Sequence, residues 1–327
     1  MKPRILITRP LYPDIVERLQ DYFDVEVNEG ARYTPSELKK ALQNKEGVLI
    51  AGGDRVDAEL LGGLTNLRAV CVSAAGYNTI DVDALTRAGI IATNAPGPAD
   101  ETVADFAWGS LIATARRLVE AERWVQHGHW KGSAGSRFFG TEVHGKRLGI
   151  IGMGRIGQAI ARRAIGFNMT TYYHNRRRLA EAIEKECRAT FRSKEHLLLD
   201  ADFVILCLPY SPGNHHIIGE QELRLMQPRS ILVNIARGGL VDEAALAGAL
   251  SENRIGGAAL DVFEGEPAIH PGLLDLPNAI LTPHIAGATW DTQHGLASLA
   301  ADNLIAALGL GPMAGKPPSI LNPEVLS

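Results

Sequence analysis

Two kinds of apolar pattern alternate along most of this chain of 327 residues. Short continuous apolar runs predict buried strands, and segments with an apolar residue every three or four positions predict amphipathic helices. Predicted strands cover residues 4–8, 25–27, 47–51, 68–73, 90–93, 147–151, 169–174, 203–208, 230–235, 258–262 and 279–281. Because helical segments separate these strands, the pattern predicts an α/β protein with two doubly wound, Rossmann-like parallel sheets.

Several helix boundaries can also be predicted. Thr34 and Glu37 have the spacing of a capping box, and aspartates at positions 57, 81 and 242 are placed to cap further helices. Residues 102–126 predict one long helix, residues 127–145 an irregular excursion, and residues 289–308 a final long helix. This last helix is expected to return to the first group of strands, which would make the first domain discontinuous.

A glycine-rich turn at residues 152–157 (GMGRIG) joins a predicted strand directly to a predicted helix. In this context Gly152 can form a tight turn, Gly154 can let the backbone approach a pyrophosphate, and Gly157 can let helix and strand pack closely. The free N–H groups at the helix start favour an anion. An ordinary Gly-rich turn is the alternative, but the strand–turn–helix context favours a dinucleotide site. We predict a dinucleotide-binding domain over 99–287 and a substrate-binding, catalytic domain over 1–98 and 288–327.

The residues that follow the next predicted strand, 169–174, indicate whether the site binds NAD or NADP. An NAD site usually has an acidic residue about 20 residues past the glycines. Here the chain has Asn175, Arg176, Arg177 and Arg178, with no carboxylate before Glu181. Guanidinium groups suit a 2′-phosphate, so we predict a preference for NADP(H), with NAD(H) possible. The alternative is a solvated basic loop.

Composition excludes several classes of protein. The net charge of −4 argues against a nucleic-acid surface, and no apolar run approaches the length of a membrane span. The N-terminus lacks the apolar core of a signal peptide, and Cys71 and Cys207 are expected to be buried thiols, which together suggest a cytoplasmic protein. No Cys or His cluster has metal-ligand spacing, and His215 and His216 have no acidic motif nearby, so no metal is expected.

Charged residues at predicted strand ends are candidates for catalysis, because loops at the carboxyl ends of parallel strands gather near one cleft. Arg237 can hold a carboxylate, or it can pair with Asp242 as a surface residue. His284 can exchange a proton near neutral pH, or it can be a structural histidine. A carboxylate beside His284 would favour its charged form, but spacing does not choose between Glu264 and Glu266.

Four runs of sequence together resemble the D-isomer-specific 2-hydroxyacid dehydrogenases. They are residues 152–157, 234–239 (NIARGG), 261–267 (DVFEGEP) and 283–287 (PHIAG), in this order. The resemblance covers essentially the whole chain and is strongest to glyoxylate/hydroxypyruvate reductases and 2-ketogluconate reductases. It implies a dinucleotide domain inserted into a discontinuous substrate domain, and a homodimer with the long helix and the excursion at 127–145 as candidate interfaces.

The resemblance also implies roles for individual residues. Arg237 would bind the substrate carboxylate and polarise the keto oxygen, His284 would be the acid–base group, and Glu266 its partner. Backbone N–H groups of Ala75 and Gly76 would hold the carboxylate. The implied cofactor-binding residues are Thr102, Gly152, Gly154, Arg155, Ile156, Gly157, Asn175, Arg176, Arg177, Pro209, Ala236, Asp261, His284 and Gly287.

The expected reaction is the NADPH-dependent reduction of a 2-keto acid to the D-2-hydroxy acid. Glyoxylate, hydroxypyruvate and 2-ketogluconate are the candidate substrates, since Gly52 and Gly53 would leave room for a polyol chain. The alternatives are a nicotinamide-sensing protein of the corepressor type, a dehydrogenase of formate or phosphite, and phosphoglycerate dehydrogenase. The last is disfavoured because the chain stops soon after the final helix, without the regulatory extension of many such enzymes.

Overall fold

The computed structural model describes residues 1–326 and divides the chain into two compact units. The first unit is Met1–Ala99 together with the chain from Ala288 onward, and the second is Asp100–Gly287. Each unit has a parallel sheet with helices between its strands, so the predicted α/β, doubly wound fold class is confirmed. Within the described residues, no helix combines the length and the apolar character that crossing a membrane requires.

The sheet of the first unit has the order β2-β1-β3-β4-β5, and all its strand pairs are parallel. Its strands are β1 (Arg4–Ile7), β2 (Asp24–Val27), β3 (Gly47–Ile50), β4 (Ala69–Val72) and β5 (Ile91–Thr93). Its helices are α1 (Pro13–Tyr22), α2 (Pro35–Leu42), α3 (Ala58–Leu61), α4 (Val82–Arg87) and α12 (Trp290–Ala307). The predicted caps are confirmed: Thr34 and Glu37 form a capping box on α2, and Asp57 and Asp81 cap α3 and α4.

The final helix α12 covers one face of this first sheet. It packs on β3 and β4, and its Leu304 is fully buried with Ile5 and Leu49. The fit is close at Gly47, where a Cβ atom would lie 2.7 Å from Leu304 Cδ1. The last long helix is therefore part of the core of the first unit, as its predicted return requires.

The sheet of the second unit has the order β12-β11-β10-β9-β6-β7-β8, again with parallel pairs only. Its strands are β6 (Arg147–Ile151), β7 (Thr170–His174), β8 (Ala189–Phe191), β9 (Phe203–Leu206), β10 (Ile231–Asn234), β11 (Gly257–Leu260) and β12 (Ala279–Leu281). From β6 the chain first builds outward through β7 and β8 and then returns to add β9 on the other side. This topological switch point is where doubly wound sheets bind their ligands.

Helices α5 (Asp100–Ala115) and α6 (Leu118–Gln126) replace the single helix predicted over residues 102–126, which is wrong. Arg117 separates them with a left-handed backbone (φ 54°), and its guanidinium binds Glu120 and the Arg137 carbonyl. The Ala115 carbonyl accepts the Thr141 N–H at 2.8 Å, and a Cβ on Gly140 would lie within 2.1 Å of the same oxygen. The excursion at 127–145 therefore packs against the end of α5 and bonds its last carbonyl.

The other helices of the second unit lie near their predicted positions. They are α7 (Arg155–Gly166), α8 (Glu181–Cys187), α9 (Lys194–Asp200), α10 (Glu220–Leu225) and α11 (Glu243–Ser251), the last capped by Asp242. Cys71 is fully buried as predicted, and burial raises its pKa to about 12. Cys207 lies just beyond the end of β9, where it is partly exposed to solvent, yet burial of its thiol likewise raises its pKa to about 12.

Candidate active site

The glycine-rich turn lies between β6 and α7, at the switch point of the second sheet. Gly152 has φ 102°, and a Cβ there would lie 2.6 Å from the Cys207 carbonyl carbon. A Cβ on Gly157 would lie 2.4 Å from the Gly152 carbonyl oxygen. These contacts confirm the tight turn and the close helix packing, and both positions exclude a side chain.

Gly154 differs from the other two glycines because a Cβ there would meet no atom within 4 Å. It is the N-terminal cap residue of α7 and has no side chain to bond the first N–H groups of the helix. The helix start therefore presents backbone donors and a positive dipole end beside open space, which suits a phosphate. Arg155 adds a positive charge there, although its guanidinium also pairs with Asp100 at 2.5 Å.

The residues after β7 divide into two groups. The Asn175 side chain accepts the Met153 N–H at 2.7 Å, so it holds the glycine turn. Arg178 makes two hydrogen bonds to Glu184, at 2.9 and 2.8 Å. Arg176 and Arg177 are exposed, and within residues 1–326 neither forms an ion pair. The basic cluster thus contains one structural arginine and two that are available for an anion.

Arg237 follows β10 in a loop that Asn234 shapes. The buried Asn234 side chain accepts the Ala236 N–H at 3.1 Å and donates to the Arg237 carbonyl at 2.9 Å. The Arg237 guanidinium donates to the Ala236 carbonyl at 2.6 Å and has no ion pair within its own unit. The proposed surface pair with Asp242 does not form, because Asp242 caps α11 instead. Burial lowers the pKa of Arg237, while the nearby charge of Glu266 raises it.

The loop after β11 packs directly against the Arg237 loop. A Cβ on Gly238 would lie 1.8 Å from the Phe263 carbonyl carbon, so only glycine fits between the two backbones. The buried Glu243 carboxylate accepts the N–H groups of Glu264 at 2.6 Å and His270 at 3.2 Å. Glu243 therefore orders the loop from inside the protein, a role that its position next to a helix cap does not reveal.

His284 lies in the loop after β12, and its Nδ1 is 2.8 Å from Glu266 Oε2. The other oxygen of Glu266 accepts the Phe263 N–H at 3.0 Å. Because an ionised carboxylate only accepts, Nδ1 carries the proton in this pair and Nε2 is left for exchange. The structure thus chooses Glu266 over Glu264 as the neighbour of His284. The His284 backbone is left-handed (φ 55°), a conformation often found at functional sites.

Asp261 holds the His284 loop in this conformation. It is only 1% exposed, and its carboxylate accepts hydrogen bonds from Thr282 Oγ1 at 2.7 Å, Ile285 N at 2.8 Å and Ala286 N at 2.7 Å. The sequence suggests Asp261 as a cofactor-binding residue only. Its position immediately after a buried strand is the one signal that could have indicated this structural role.

The other candidate residues lie in several elements. In the second unit, Thr102 is on α5, Ile156 is in the first turn of α7, Pro209 is exposed after β9, Ala236 is buried after β10, and Gly287 lies near Val103. In the first unit, Ala75 and Gly76 follow β4, and the Ala75 carbonyl accepts from Asn94 at 2.7 Å.

The space expected beside Gly53 is not open. A Cβ there would lie 3.1 Å from the guanidinium of Arg32, which the buried Asp54 holds at 3.2 Å. The argument that small glycines leave room for a polyol chain therefore fails at this position.

Comparisons with known proteins identify the family. The sequence model described as the NAD-binding domain of D-isomer-specific 2-hydroxyacid dehydrogenases matches residues 108–286. A glyoxylate reductase of Thermococcus gammatolerans is 44% identical over 100% of this chain and 98% of its own length. Glyoxylate/hydroxypyruvate reductase B of Pectobacterium carotovorum is 42% identical, with 100% of both chains covered.

A solved structure gives the same result. The NADPH-dependent glyoxylate/hydroxypyruvate reductase of Sinorhizobium meliloti, in complex with NADP and malonate, has a TM-score of 0.85 and 30% identity, covering 99% of this chain and 98% of that one. Both the full-length sequence similarity and the shared fold agree with the resemblance carried by the four sequence runs. The chain belongs to the D-isomer-specific 2-hydroxyacid dehydrogenases, oxidoreductases that use a nicotinamide dinucleotide.

Proposed function

We propose that this protein reduces a small 2-keto acid to the D-2-hydroxy acid with NADPH, with glyoxylate and hydroxypyruvate as the first candidate substrates. The observation that carries the proposal is the His284–Glu266 pair at 2.8 Å, in the same unit as Arg237, which forms no ion pair within that unit. These groups follow successive strands of the sheet that also carries the glycine turn. The full-length relatives named glyoxylate reductase and glyoxylate/hydroxypyruvate reductase support this substrate class.

The residues of the second unit fit a nicotinamide dinucleotide. The tight turn at Gly152 and the open space at Gly154 leave room for a pyrophosphate at the start of α7. When bound, the reduced nicotinamide supplies the hydride that the keto carbon receives. The protein must then bind the keto acid, stabilise the charge on its oxygen and provide a proton.

His284 provides that proton from Nε2 to the oxygen of the former keto group, which becomes the hydroxyl. Glu266 orients the ring through Nδ1 and stabilises the charged form that exists before the transfer. Arg237 binds the substrate carboxylate and stabilises the negative charge that develops on the keto oxygen. Its partial burial strengthens both interactions, and an arginine stays protonated even where burial lowers its pKa.

A direct test compares single variants in the reduction of glyoxylate, hydroxypyruvate, pyruvate and 2-ketogluconate, followed by the near-ultraviolet absorbance of NADPH. His284→Ala and Arg237→Ala should each lower kcat/KM by about 10²–10⁴-fold, a loss far larger than any change in NADPH affinity. His294→Ala is a matched control, because His294 also pairs with a carboxylate at 2.8 Å, that of Asp14. Full activity of either site variant would refute the assigned roles. An inactive wild-type protein that still binds NADPH would instead favour a sensor.

The preference for NADPH is proposed from Arg176 and Arg177, which are exposed and form no ion pair within residues 1–326. Asn175 stands where an NAD-binding protein has its acid, and it bonds the glycine turn. Replacing both arginines by alanine should lower kcat/KM for NADPH by at least about tenfold and leave that for NADH within about threefold. Arg229→Ala, another exposed arginine of this unit, is the control. Equal efficiency of the wild-type protein with NADH would contradict the preference.

The remaining assignments rest on the resemblance. We retain Ala75 and Gly76 as substrate-binding residues, and Thr102, Arg155, Ile156, Pro209, Ala236, Asp261, His284 and Gly287 as cofactor-binding residues. The proposed location is the cytoplasm, and 2-ketogluconate is the third candidate substrate.

We also propose a homodimer through α6 and the excursion at 127–145. This region exposes Val125 (46%), Trp130 (64%) and Phe139 (76%), and a cavity of about 530 Å³ lies between Trp124, Trp130 and Phe138. Large exposed apolar patches of this kind mark interaction surfaces. Light scattering after size-exclusion chromatography should give twice the mass of the chain, and a double Val125→Glu, Trp130→Glu variant should give the mass of one. A wild-type monomer would refute the proposal.

A further inference from the structure

Three polar side chains that the proposed reaction does not use converge in the second unit. His215 and His216 lie in the segment between β9 and α10, and Glu264 lies in the loop after β11. One nitrogen of each ring and one carboxylate oxygen lie within 4.8 Å of one another. The fold brings Glu264 to these histidines from a distant part of the sequence, since it is 48 residues from His216 along the chain.

In both imidazoles, Nε2 is the nitrogen that lies near the Glu264 carboxylate. His216 Nε2 lies 3.1 Å from Glu264 Oε2, and His215 Nε2 lies 3.6 Å from Glu264 Oε1. In a tetrahedral zinc site with bonds of about 2.0–2.1 Å, neighbouring ligand atoms lie about 3.3 Å apart. The two observed separations lie on either side of this value. Because the two separations involve different oxygens of Glu264, a small cation would need the carboxylate to turn so that one oxygen and both Nε2 atoms surround it.

The opposite ring nitrogens face groups that can orient the imidazoles. His215 Nδ1 lies 3.3 Å from the Tyr210 hydroxyl, and His216 Nδ1 lies 3.9 Å from the Asp242 carboxylate. In metal sites, a ligating histidine commonly donates its second N–H to such a partner, which fixes the ring and raises its basicity. Here His215 Nδ1 has such a partner within hydrogen-bond distance, whereas Asp242 lies beyond that distance from His216 Nδ1.

The backbone supports the same arrangement. His216 has a left-handed backbone (φ 51°), and its N–H bonds the Gly239 carbonyl at 2.9 Å. The two rings are stacked, with centroids 3.8 Å apart and an angle of 24° between their planes, and one ring must turn out of this stack on binding because a metal ion lies in the plane of each imidazole that binds it. The Glu264 N–H is fixed by the buried Glu243. Both segments that carry the three side chains are therefore anchored by backbone contacts.

We propose that His215, His216 and Glu264 form a zinc-binding site. Two imidazoles and one carboxylate are a ligand set that zinc takes, and a water molecule would complete the coordination. The side chains of His215 and Glu264 are each 43% exposed, so the ion can enter from solvent. Zinc would join the segment after β9 to the loop that carries Glu266. The site is separate from the proposed reaction, and its test needs no substrate.

The test is a zinc titration of protein purified without a polyhistidine tag and stripped with a chelator, using a competing chromophoric chelator as the reporter. Wild-type protein should bind one zinc ion per chain. Glu264→Gln, which keeps the side-chain shape, and His216→Ala should each weaken binding by at least the roughly 10–100-fold that loss of an outer partner costs. Circular dichroism of each variant confirms that the fold is retained.

His127→Ala is the matched control and should bind zinc as the wild type does. His127 and His129 are also neighbouring histidines, with ring centroids 6.1 Å apart, but within residues 1–326 they do not form a metal-binding group with a carboxylate. Tyr210→Phe should bind more weakly than the wild type but more tightly than His216→Ala. Absence of saturable zinc binding, or binding that both Glu264→Gln and His216→Ala leave unchanged, would overturn the proposal and leave a hydrogen-bonded cluster without a metal.

Discussion

Replacing Asp261 with asparagine tests how the His284 loop is held. The Asp261 carboxylate accepts three hydrogen bonds from the segment 282–286 while only 1% exposed. In the variant, one oxygen can still accept from Thr282 Oγ1 and Ile285 N. The amide NH₂ then replaces the oxygen that accepts the Ala286 N–H at 2.7 Å, so two donors face each other.

The magnitude follows from these contacts. Loss of one charge-assisted hydrogen bond costs about 1.5–3 kcal/mol, and a buried donor left without a partner costs about 1–3 kcal/mol more. Some relaxation of the loop lowers the sum, so we expect about 3–4 kcal/mol. If the loop relaxes and His284 separates from Glu266, the activation free energy of the reaction rises instead. The value of kcat then falls about tenfold for each 1.4 kcal/mol.

The assay combines urea unfolding with steady-state kinetics and NADPH binding. Three of the four tryptophans, Trp108, Trp124 and Trp130, report on the second unit by fluorescence. Asp81→Asn is the matched control, because Asp81 accepts one N–H at the start of α4 and asparagine caps a helix about as well. A variant with unchanged stability and kcat, but with weakened NADPH binding, would refute the reasoning and place the main role of Asp261 at the cofactor.

Three further predictions concern single contacts of the second unit. Gly238→Ala should lower stability by about 2–3 kcal/mol and reduce kcat, because its Cβ would force apart the loops of Arg237 and Phe263; denaturant midpoints equal to the wild type would contradict this. Gly154→Leu should leave the melting temperature unchanged, since its Cβ faces open space, but should abolish measurable NADPH binding; retained affinity would argue against a pyrophosphate there. Arg178 and Tyr173 lower the pKa of Glu184 to about 2, so its ionised form stabilises the fold above its ordinary pKa, and this contribution is lost as the pH falls towards 2. The melting-temperature difference between wild type and Glu184→Gln should therefore shrink between about pH 6 and about pH 2, and a constant difference would show that the charge is not responsible.

Local features of this chain can be predicted from the sequence because their causes are local. The capping box of Thr34 and Glu37 depends on residues three apart, and the structure confirms both of its hydrogen bonds. The turn at Gly152 and the close packing at Gly157 follow from the glycine spacing between a strand and a helix. The parallel pairing of the strands in each sheet follows from the alternation of apolar runs and helical segments.

Contacts between distant loops cannot be predicted in the same way. Spacing does not distinguish Glu264 from Glu266, yet one lies beside His216 and the other beside His284. The apolar pattern does not predict the break at Arg117, because a later segment of the chain bonds the end of α5. The pattern does not predict strand β8 either, because this strand has three residues and pairs only at the edge of the sheet. In each case a tertiary contact outweighs the local pattern.

The first unit is formed from two separate segments of the chain, and this affects how it folds during synthesis on the ribosome. Leu304 and Leu308 of its core emerge long after β1 and β3, against which they pack, and the whole continuous second unit is translated in between. Domains generally fold as units during synthesis, at about 5–20 residues per second. The second unit can thus reach its native state while the apolar face of the first sheet still lacks its cover. Nascent chains halted before residue 290 should therefore bind chaperones through the first unit, and the second unit should be the more resistant of the two to protease.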